Sequence, residues 1–466
     1  MNSFRCFSFA FIGSYGSELT IDEMDKSQEN DAICDPFVNN ATNERGPIIS
    51  DFDILVQMIP SSLGKPRNSY DDELNPNGIC NCGVAENYLC ENELISKLQS
   101  IQIWKTNYIY YPYSSGQKSL RQALCNFFQR SFQLNYELDP DRMMISSGLT
   151  GIISLLGYLI GDIDDVFLIS SPYYTAFDHD ISVFSNCAIF RCPLLEQDSG
   201  KFLFSVEIFK HGYQQAINKG LRPRGIIILN PNNPIGDIYD EQTIQPILQF
   251  AAEKNLHVII DEIYAFSIFE NEKPFQSMLN YTSIIDPKRT HFVWSLSKDF
   301  ALSGLRIGVL YAGSNELCSA GAAANFIQVP SVIIQEITAT FLSDQEWIDS
   351  YIKLNRSRLT QQYAKVKKTI EDIDNRIYIR PAKAGFFIWA DFRSLLHEVT
   401  FEEEVRLFQI IFEHGVYLLS GSFLGCVQPG WFRIIFSVKE KWIEEILKRL
   451  KKGLDAYRQL IVASSV

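Results

Sequence analysis

Four apolar runs do most to limit how this chain can fold. Gly225-Ile-Ile-Ile-Leu229 is continuous and isoleucine-rich, and Leu256-His-Val-Ile-Ile260 follows it with similar character. Asp165-Val-Phe-Leu-Ile-Ser170 and His291-Phe-Val-Trp294 are built alike. Runs of that length without polar alternation mark strands buried on both faces. A helical pattern over Glu241 to Glu253 lies between two of them. Strand and helix alternating in this way predict a mainly parallel sheet with helices on both sides. Such sheets bind ligands beyond the carboxyl ends of their strands. The residues that follow each run therefore carry the chemical information.

Asn230-Pro-Asn-Asn-Pro-Ile-Gly236 follows the first run. Its two Asn-Pro steps make a stiff turn, because proline restricts itself and the residue before it. Asp261-Glu-Ile-Tyr264 follows the second and sets a carboxylate at a strand end, although alone it also fits surface polar residues. Ser295-Leu-Ser-Lys298 follows Trp294, with Arg306 and Gly308 further on and a second strand over Ile307 to Tyr311. A lysine on a loop among Ser295, Ser297 and Ser303 suits a Schiff base to an aldehyde, its amine pKa depressed by a nearby cation such as Arg306. The hydroxyls and Arg306 could hold a dianionic phosphate. The alternative is a solvated lysine in a serine-rich capping loop.

Arg142-Met-Met-Ile-Ser146 reads as another strand, and Ser147-Gly148-Leu149-Thr150 then opens an apolar helix over Gly151 to Ile160. Free N–H groups and the helix dipole favour an anion there, so Gly148, Leu149 (through its backbone) and Thr150 are assigned to phosphate. Near the C-terminus, Gln428-Pro-Gly-Trp-Phe-Arg433-Ile-Ile-Phe436 sets one arginine inside an apolar strand. A buried arginine needs an anion. Either a substrate carboxylate on its bidentate fork or a structural ion pair would serve.

These strings carry a resemblance. Ser-x-Ser-Lys298 followed by Gly304-Leu-Arg306-Ile-Gly308 resembles the lysine signature of fold-type I pyridoxal-phosphate enzymes, and Asn-Pro-x-Asn-Pro-x-Gly belongs to the same family pattern. Gly83-Val-Ala-Glu-Asn87, Ser-Leu-Ser-Lys-Asp-Phe-x-Leu-x-Gly-Leu-Arg306 and Pro429-Gly-Trp-Phe-Arg433 resemble its 1-aminocyclopropane-1-carboxylate (ACC) synthase branch. The strings keep the family's order over roughly residues 80 to 440. The resemblance implies pyridoxal 5'-phosphate as cofactor, with Lys298 joined to its aldehyde and then serving as base for the α-proton. It implies Asp261 against the protonated pyridine nitrogen, making the ring an electron sink, and Asn233 and Tyr264 on the phenolic oxygen. Gly148, Leu149, Thr150, Ser295, Ser297 and Arg306 would take the phosphate, and Arg433 the substrate carboxylate. Tyr174, two residues after Pro172, would stack on the ring, unless Tyr173 and Tyr174 are core residues. Glu86 would lie near the substrate, with a helix N-terminal cap as the alternative.

The implied fold is a large α/β domain, with a mainly parallel seven-stranded sheet flanked by helices, plus a smaller α+β domain. Residues 1–45 are expected to be a disordered extension. Residues 46–105 would form an arm and part of the small domain, 106–340 the large cofactor domain, and 341–466 a linking helix (Gln345 to about Ile373) and the C-terminal small domain. The family further implies a homodimer with shared active sites. One departure stands out: Ser114 occupies the position, two before Gly116, where ACC synthases carry a tyrosine. It shifts the expected reaction from cyclisation of S-adenosylmethionine towards elimination at a carbon–sulfur bond, as in fungal carbon–sulfur lyases of secondary metabolism. Aminotransferase and ACC synthase are the alternatives. A non-catalytic binding module would tolerate loss of Lys298 or Asp261, and both are present.

Composition narrows the partners. The chain has 466 residues, enough for two domains, and 46% of them are hydrophobic. A formal net charge of -13 argues against nucleic acid or an anionic membrane. No apolar run is long enough to span a bilayer. The ten cysteines are scattered. Cys80-x-Cys82 with Cys90 lacks a fourth ligand at finger spacing, so no metal is expected and the thiols read as reduced. Residues 1 to 14 resemble a signal peptide with too short an apolar stretch, and a cytoplasmic enzyme is expected.

Overall fold

A computed structural model describes residues 68–102, 104–194, 201–269 and 274–464. The expected N-terminal extension and the first part of the expected arm lie outside these residues. In chain order the strands are β1 (Cys80–Asn81), β2 (Met143–Ser147), β3 (Asp165–Ser171), β4 (Ala188–Pro193) and β5 (Arg222–Leu229). Then come β6 (His257–Asp261), β7 (Thr290–Ser295), β8 (Ile307–Tyr311), β9 (Tyr378–Arg380) and β10 (Phe387–Asp391). The last three are β11 (Val416–Tyr417), β12 (Leu419–Ser420) and β13 (Trp431–Ile435).

The four apolar runs meet in one seven-stranded sheet of order β2-β8-β7-β6-β5-β3-β4. All its neighbours are parallel except β8, which runs antiparallel to both β2 and β7. Alternate residues supply the two faces. Ile226, Ile228, Val258, Ile260, Phe292 and Trp294 enter one core, with Leu120, Leu124 and Phe128 of helix Lys118–Ser131 and Ile244 and Ile247 of helix Glu241–Glu253. Ile227, Leu229, Ile259, Val293 and Leu310 enter the other, with Ile152, Leu155 and Leu156 of helix Gly148–Ile160. Each such side chain contributes roughly 1.5–3 kcal/mol by leaving water, so a register slip on either face is heavily penalised.

A third core surrounds an antiparallel sheet of order β12-β13-β10-β9. Helix Gln345–Ile373, capped by the Asp344 carboxylate, places Ile348 and Tyr351 in the first core and Leu359, Tyr363, Val366 and Ile370 in the third. The chain near residue 80 joins the third core. Its β1 pairs in parallel with β11, and the Cys82 carbonyl accepts from Ile435 N at 2.9 Å.

Two local differences have clear causes. β5 starts at Arg222 rather than Gly225, because the Arg222 and Arg224 guanidiniums reach the buried Asp165 carboxylate of β3 at 2.8 and 2.6 Å. Lys298 stands on a single helical turn, Leu296–Asp299, rather than a loop, because the Ser295 hydroxyl caps Ser297 N.

Where β6 and β7 begin, far along the strands from Asp261 and Lys298, His257 Nδ1 and His291 Nε2 lie 2.9 Å apart. His291 Nδ1 accepts from Gly313 N at 3.0 Å, which makes its Nε2 the donor to His257. Burial is the main cause that lowers the two imidazoles, to about 4 for His257 and about 3 for His291. Arg289 and Arg224 add to the first, and His257 and Arg142 to the second. Because the folded values lie below the unfolded one near 6.5, their stabilisation is complete above that pH and falls as pH drops through it. His257→Gln should therefore gain on wild type by on the order of 1 kcal/mol per pH unit below pH 6.5, read from paired urea titrations. A constant difference between the two proteins across that range would refute this.

Candidate active site

Three adjacent strands deliver the central groups, since Leu229 of β5, Asp261 of β6 and Val293 of β7 lie in one register across the sheet. Beyond Leu229 the chain turns through Asn230-Pro-Asn-Asn233, whose first asparagine closes the turn by bonding Tyr239 N and O, both at 2.9 Å. Asp261 ends β6, buried, and accepts from Ile263 N at 3.0 Å. Burial is the main cause that pushes its carboxyl up to about 7, with Asp299 adding to the rise and Lys298 opposing it. Tyr264 is fully buried edge-on to Phe386 and Phe387, and its hydroxyl has no hydrogen-bond partner among the described residues.

Lys298 Nζ donates to the Ala85 carbonyl at 2.7 Å. The next residue, Asp299, clamps this turn. Its fully buried carboxylate accepts from Ser267 Oγ at 2.7 Å and Trp294 Nε1 at 2.9 Å, tying the lysine turn to the segment that follows Tyr264.

The strand-to-helix turn after β2 packs against the start of β8. Gly148 has φ +72, and a Cβ there would lie 2.4 Å from Arg306 Nη2. A Cβ on Gly308 would lie 2.1 Å from the Gly148 carbonyl oxygen. Only glycine at both positions lets the Arg306 guanidinium fold over the start of helix Gly148–Ile160, where free N–H groups point outward. Ser297 joins this cradle, with its hydroxyl 2.7 Å from Ser295 Oγ. Ser295 itself is fully buried and donates to the Ile307 carbonyl at 2.9 Å, so its hydroxyl braces the cradle from behind. Thr150 is exposed, and its hydroxyl helps to hold the nearby Asp180 carboxyl down against the effect of burial.

Arg433, on β13, is 1% exposed. Nη1 donates to Asn233 Oδ1 at 2.9 Å and Nη2 to the Gly83 carbonyl at 2.5 Å, while Nε has no partner among the described residues. All of these bonds are to neutral groups. Burial lowers its pKa, partly offset by the hydroxyls of Tyr264, Tyr174 and Tyr417. Tyr174 is 42% exposed, yet the protein atoms around it raise its hydroxyl pKa, with Arg433 and Arg306 opposing the rise. A side chain both accessible and surrounded sits in a concave cleft. The Glu86 carboxylate accepts from Tyr88 Oη at 2.8 Å, and its own carbonyl accepts from Ser437 Oγ at 2.6 Å. Asn87 instead bonds Leu89 N and Asn355, so it is the residue of this segment that braces the chain entering helix Glu91–Gln99.

The fold thus brings Lys298, Asp261, Tyr264, Asn233, Arg433, Tyr174 and the Gly148–Arg306 cradle to one cleft. Residues 90–450 match the family model for class I and II aminotransferases. The chain belongs to that family. Its members use pyridoxal 5'-phosphate, and this chain falls in their ACC-synthase-like branch. An ACC synthase-like protein 1 from Takifugu rubripes is 34% identical over 397 residues, covering 84% of this chain. The chain spans 64% of that relative's length. ACC synthase 7 of Arabidopsis thaliana is 31% identical and is covered to 91% of its length, with 84% of this chain matched. Among solved structures, a single mutant of Thermus thermophilus aspartate aminotransferase superposes with a TM-score of 0.68 at 18% identity, over 88% of this chain and 97% of that one, which establishes the shared fold.

The residues present fit the family's cofactor. A glycine cradle under an arginine suits the phosphate, the buried Tyr264 hydroxyl has no partner among the described residues, and the Asp261 carboxyl, raised by burial, is placed to gain from a ring cation. The motifs point to none of four further contributors. Asp180 lies behind Thr150, pushed up to about 6 mainly by burial. The carbonyls of Gly83 and Ala85 meet Arg433 and Lys298, and Tyr417 flanks Arg433. Backbone carbonyls carry no residue-type signal, and Asp180 and Tyr417 follow no spacing rule.

Because the Asp261 carboxyl is ionised only above about 7, its pairing with a ring cation should weaken as pH falls below that value. Titrating apo-protein with pyridoxal phosphate should show wild type binding more tightly than Asp261→Asn at pH 8, with the advantage shrinking towards pH 6. An advantage that is independent of pH would contradict this assignment.

Proposed function

We propose that this chain is an enzyme that holds pyridoxal 5'-phosphate at Lys298 and acts at the α-carbon of an amino acid, with elimination at a carbon–sulfur bond as its reaction. The observation that carries the reading is the fully buried Arg433, bonded only to neutral groups in the cleft that holds Lys298. A buried guanidinium attracts a carboxylate strongly. An amino acid whose carboxylate takes the Nε side would be held in that cleft. The cofactor, when bound, supplies an electron sink conjugated with the substrate's α-carbon. Asp261, ionised, keeps the ring nitrogen protonated. Tyr264 and Asn233 would hold the phenolic oxygen, and Tyr174 would cover the ring. Leu149 and Thr150 would hold the phosphate with their N–H groups, beside Ser297 and Arg306, with Ser295 bracing them; the Gly148 N–H is bonded to the Arg306 carbonyl at 3.0 Å, so Gly148 serves by letting the two segments approach. Glu86, fixed by Tyr88, borders the substrate space.

Lys298 Nζ, neutral, takes the α-proton and returns it to the departing sulfur. Kinship with the ACC-synthase-like branch supports chemistry at a substrate sulfur. Ser114 in place of a tyrosine favours elimination over cyclisation. The purified protein is expected to show a violet absorbance band that Lys298→Ala abolishes, together with a loss of turnover of roughly 10²–10⁴-fold or more. An S-substituted cysteine should then release free thiol with no keto acid added. A spectrum that bleaches and recovers only on adding a keto acid would identify an aminotransferase instead.

Two copies are proposed to share this site. Trp104, Ile109, Tyr110, Tyr111, Tyr113 and Ile327 are all exposed, Tyr111 to 89%, and Tyr111 packs beside exposed Phe326, the neighbour of Ile327. An apolar patch of this kind marks an interface. It borders the cofactor site, because Asn325 Nδ2 ties the Ser114 carbonyl (2.6 Å) to Ile145 of β2 (2.8 Å), the strand that leads into Gly148. Light scattering should give twice the chain mass, falling to one chain in Tyr111→Glu combined with Ile327→Glu. A wild-type monomer would exclude the shared site. Among the described residues no helix is long and apolar enough to cross a membrane.

A further inference from the structure

We infer that Tyr417 is a carboxylate-binding residue, its phenol hydroxyl donating to the substrate's α-carboxylate beside Arg433. The inference rests on the reading of Arg433 given above and adds to it a second donor of a different chemical kind. Three observations lead to it. Leu419 of β12 lies directly across from Arg433 of β13. Tyr417 precedes Leu419 by two residues, the spacing at which extended chain returns a side chain to the same face.

The Tyr417 ring also packs so closely on Gly83 that a Cβ there would lie 2.3 Å from Cε1. The Gly83 carbonyl is itself bonded to Arg433 Nη2. The contact is held by the backbone as well, since Asn81 pairs with Tyr417 and Cys82 N donates to the Tyr417 carbonyl at 2.8 Å. Ring, glycine and guanidinium therefore form one stack at the cleft.

Finally, Tyr417 is only 3% exposed, and its hydroxyl takes part in no hydrogen bond with a described residue. Its ring is packed edge-on by Phe408 and Phe412, with centroids at 6.4 and 6.2 Å. A phenylalanine would satisfy that packing equally well. The hydroxyl is the part that core packing leaves unexplained. Its electrostatic neighbours are Arg433 and Tyr174, both groups of the cleft. A phenol next to a guanidinium adds a directional donor for an anion without adding a second charge.

The test uses the holoenzyme and two amines, L-alanine and ethylamine, which differ in the carboxylate and are followed by the change each causes in the cofactor's absorbance. In Tyr417→Phe, affinity for pyridoxal phosphate should stay within twofold of wild type. The apparent dissociation constant for L-alanine should rise about tenfold or more, the usual size for a lost hydrogen bond to a charged group, while that for ethylamine stays unchanged. Gly83→Ala, whose methyl must displace the Tyr417 ring, should show the same carboxylate-selective loss. The inference is overturned if Tyr417→Phe binds L-alanine within twofold of wild type. It is equally overturned if both amines weaken alike, which would make Tyr417 a packing residue. Failure of the underlying reading looks different: wild type would lack the violet band, or Arg433→Lys would leave L-alanine binding intact.

Discussion

A guanidinium buried to 1% exposure, with no acidic partner among the described residues, is the interaction around which the rest of this structure is arranged. Burying an unpaired charge costs several kcal/mol even after relaxation. Arg433 offsets part of that with two neutral acceptors and with the Phe387 ring 5.9 Å away. Those partners come from distant parts of the chain. Asn233 arrives from the end of β5, and Gly83 from a segment that must cross the cleft to reach it. The same segment then sets its Ala85 carbonyl on Lys298. A single buried cation thus fixes a floor from one sheet, a wall from the other, and the strap that passes over both.

The second constraint is backbone contact. Gly148 and Gly308 approach until neither tolerates a Cβ. This contact depends on β8 running antiparallel between β2 and β7, which brings the residue before β8, Arg306, to the start of the helix after β2. Arg306 also adopts φ 54, a left-handed conformation that turns its chain over the cradle. Beneath the cleft lie acids that burial keeps from ionising easily: Asp261 and Asp299 near 7, and Glu262 near 8. These acids carry little negative charge until a cation arrives beside them. That suits the pairing with a ring nitrogen proposed for Asp261.

Much of this was legible from residue order. The continuous runs identified the inner strands because a strand covered on both faces has no polar positions. Helices Glu241–Glu253 and Gln345–Ile373 follow from periodicity alone. Edge strand β4 and helices Val206–Asn218 and Val332–Ser343 were not anticipated. β4 is half-exposed along most of its length, and its mixed residues match neither period. The site groups carried by motifs at strand ends were visible because turn chemistry restricts which residues can stand there.

Residue order alone sets the chemical groups and their succession: a lysine and a carboxylate at strand ends, a glycine turn, and an arginine inside an apolar strand. The tertiary structure alone decided which neutral atoms meet those groups. The Gly83 and Ala85 carbonyls, the Asp299 clamp and the Tyr417 hydroxyl reach the cleft only because β1 pairs with β11 and because the lysine turn packs against the exit of β6. A carbonyl is the same in every residue, and a tyrosine follows no spacing rule. Their roles are set by the pairing of segments more than two hundred residues apart, such as Ala85 with Lys298 and Gly83 with Arg433, and no local pattern encodes such a pairing.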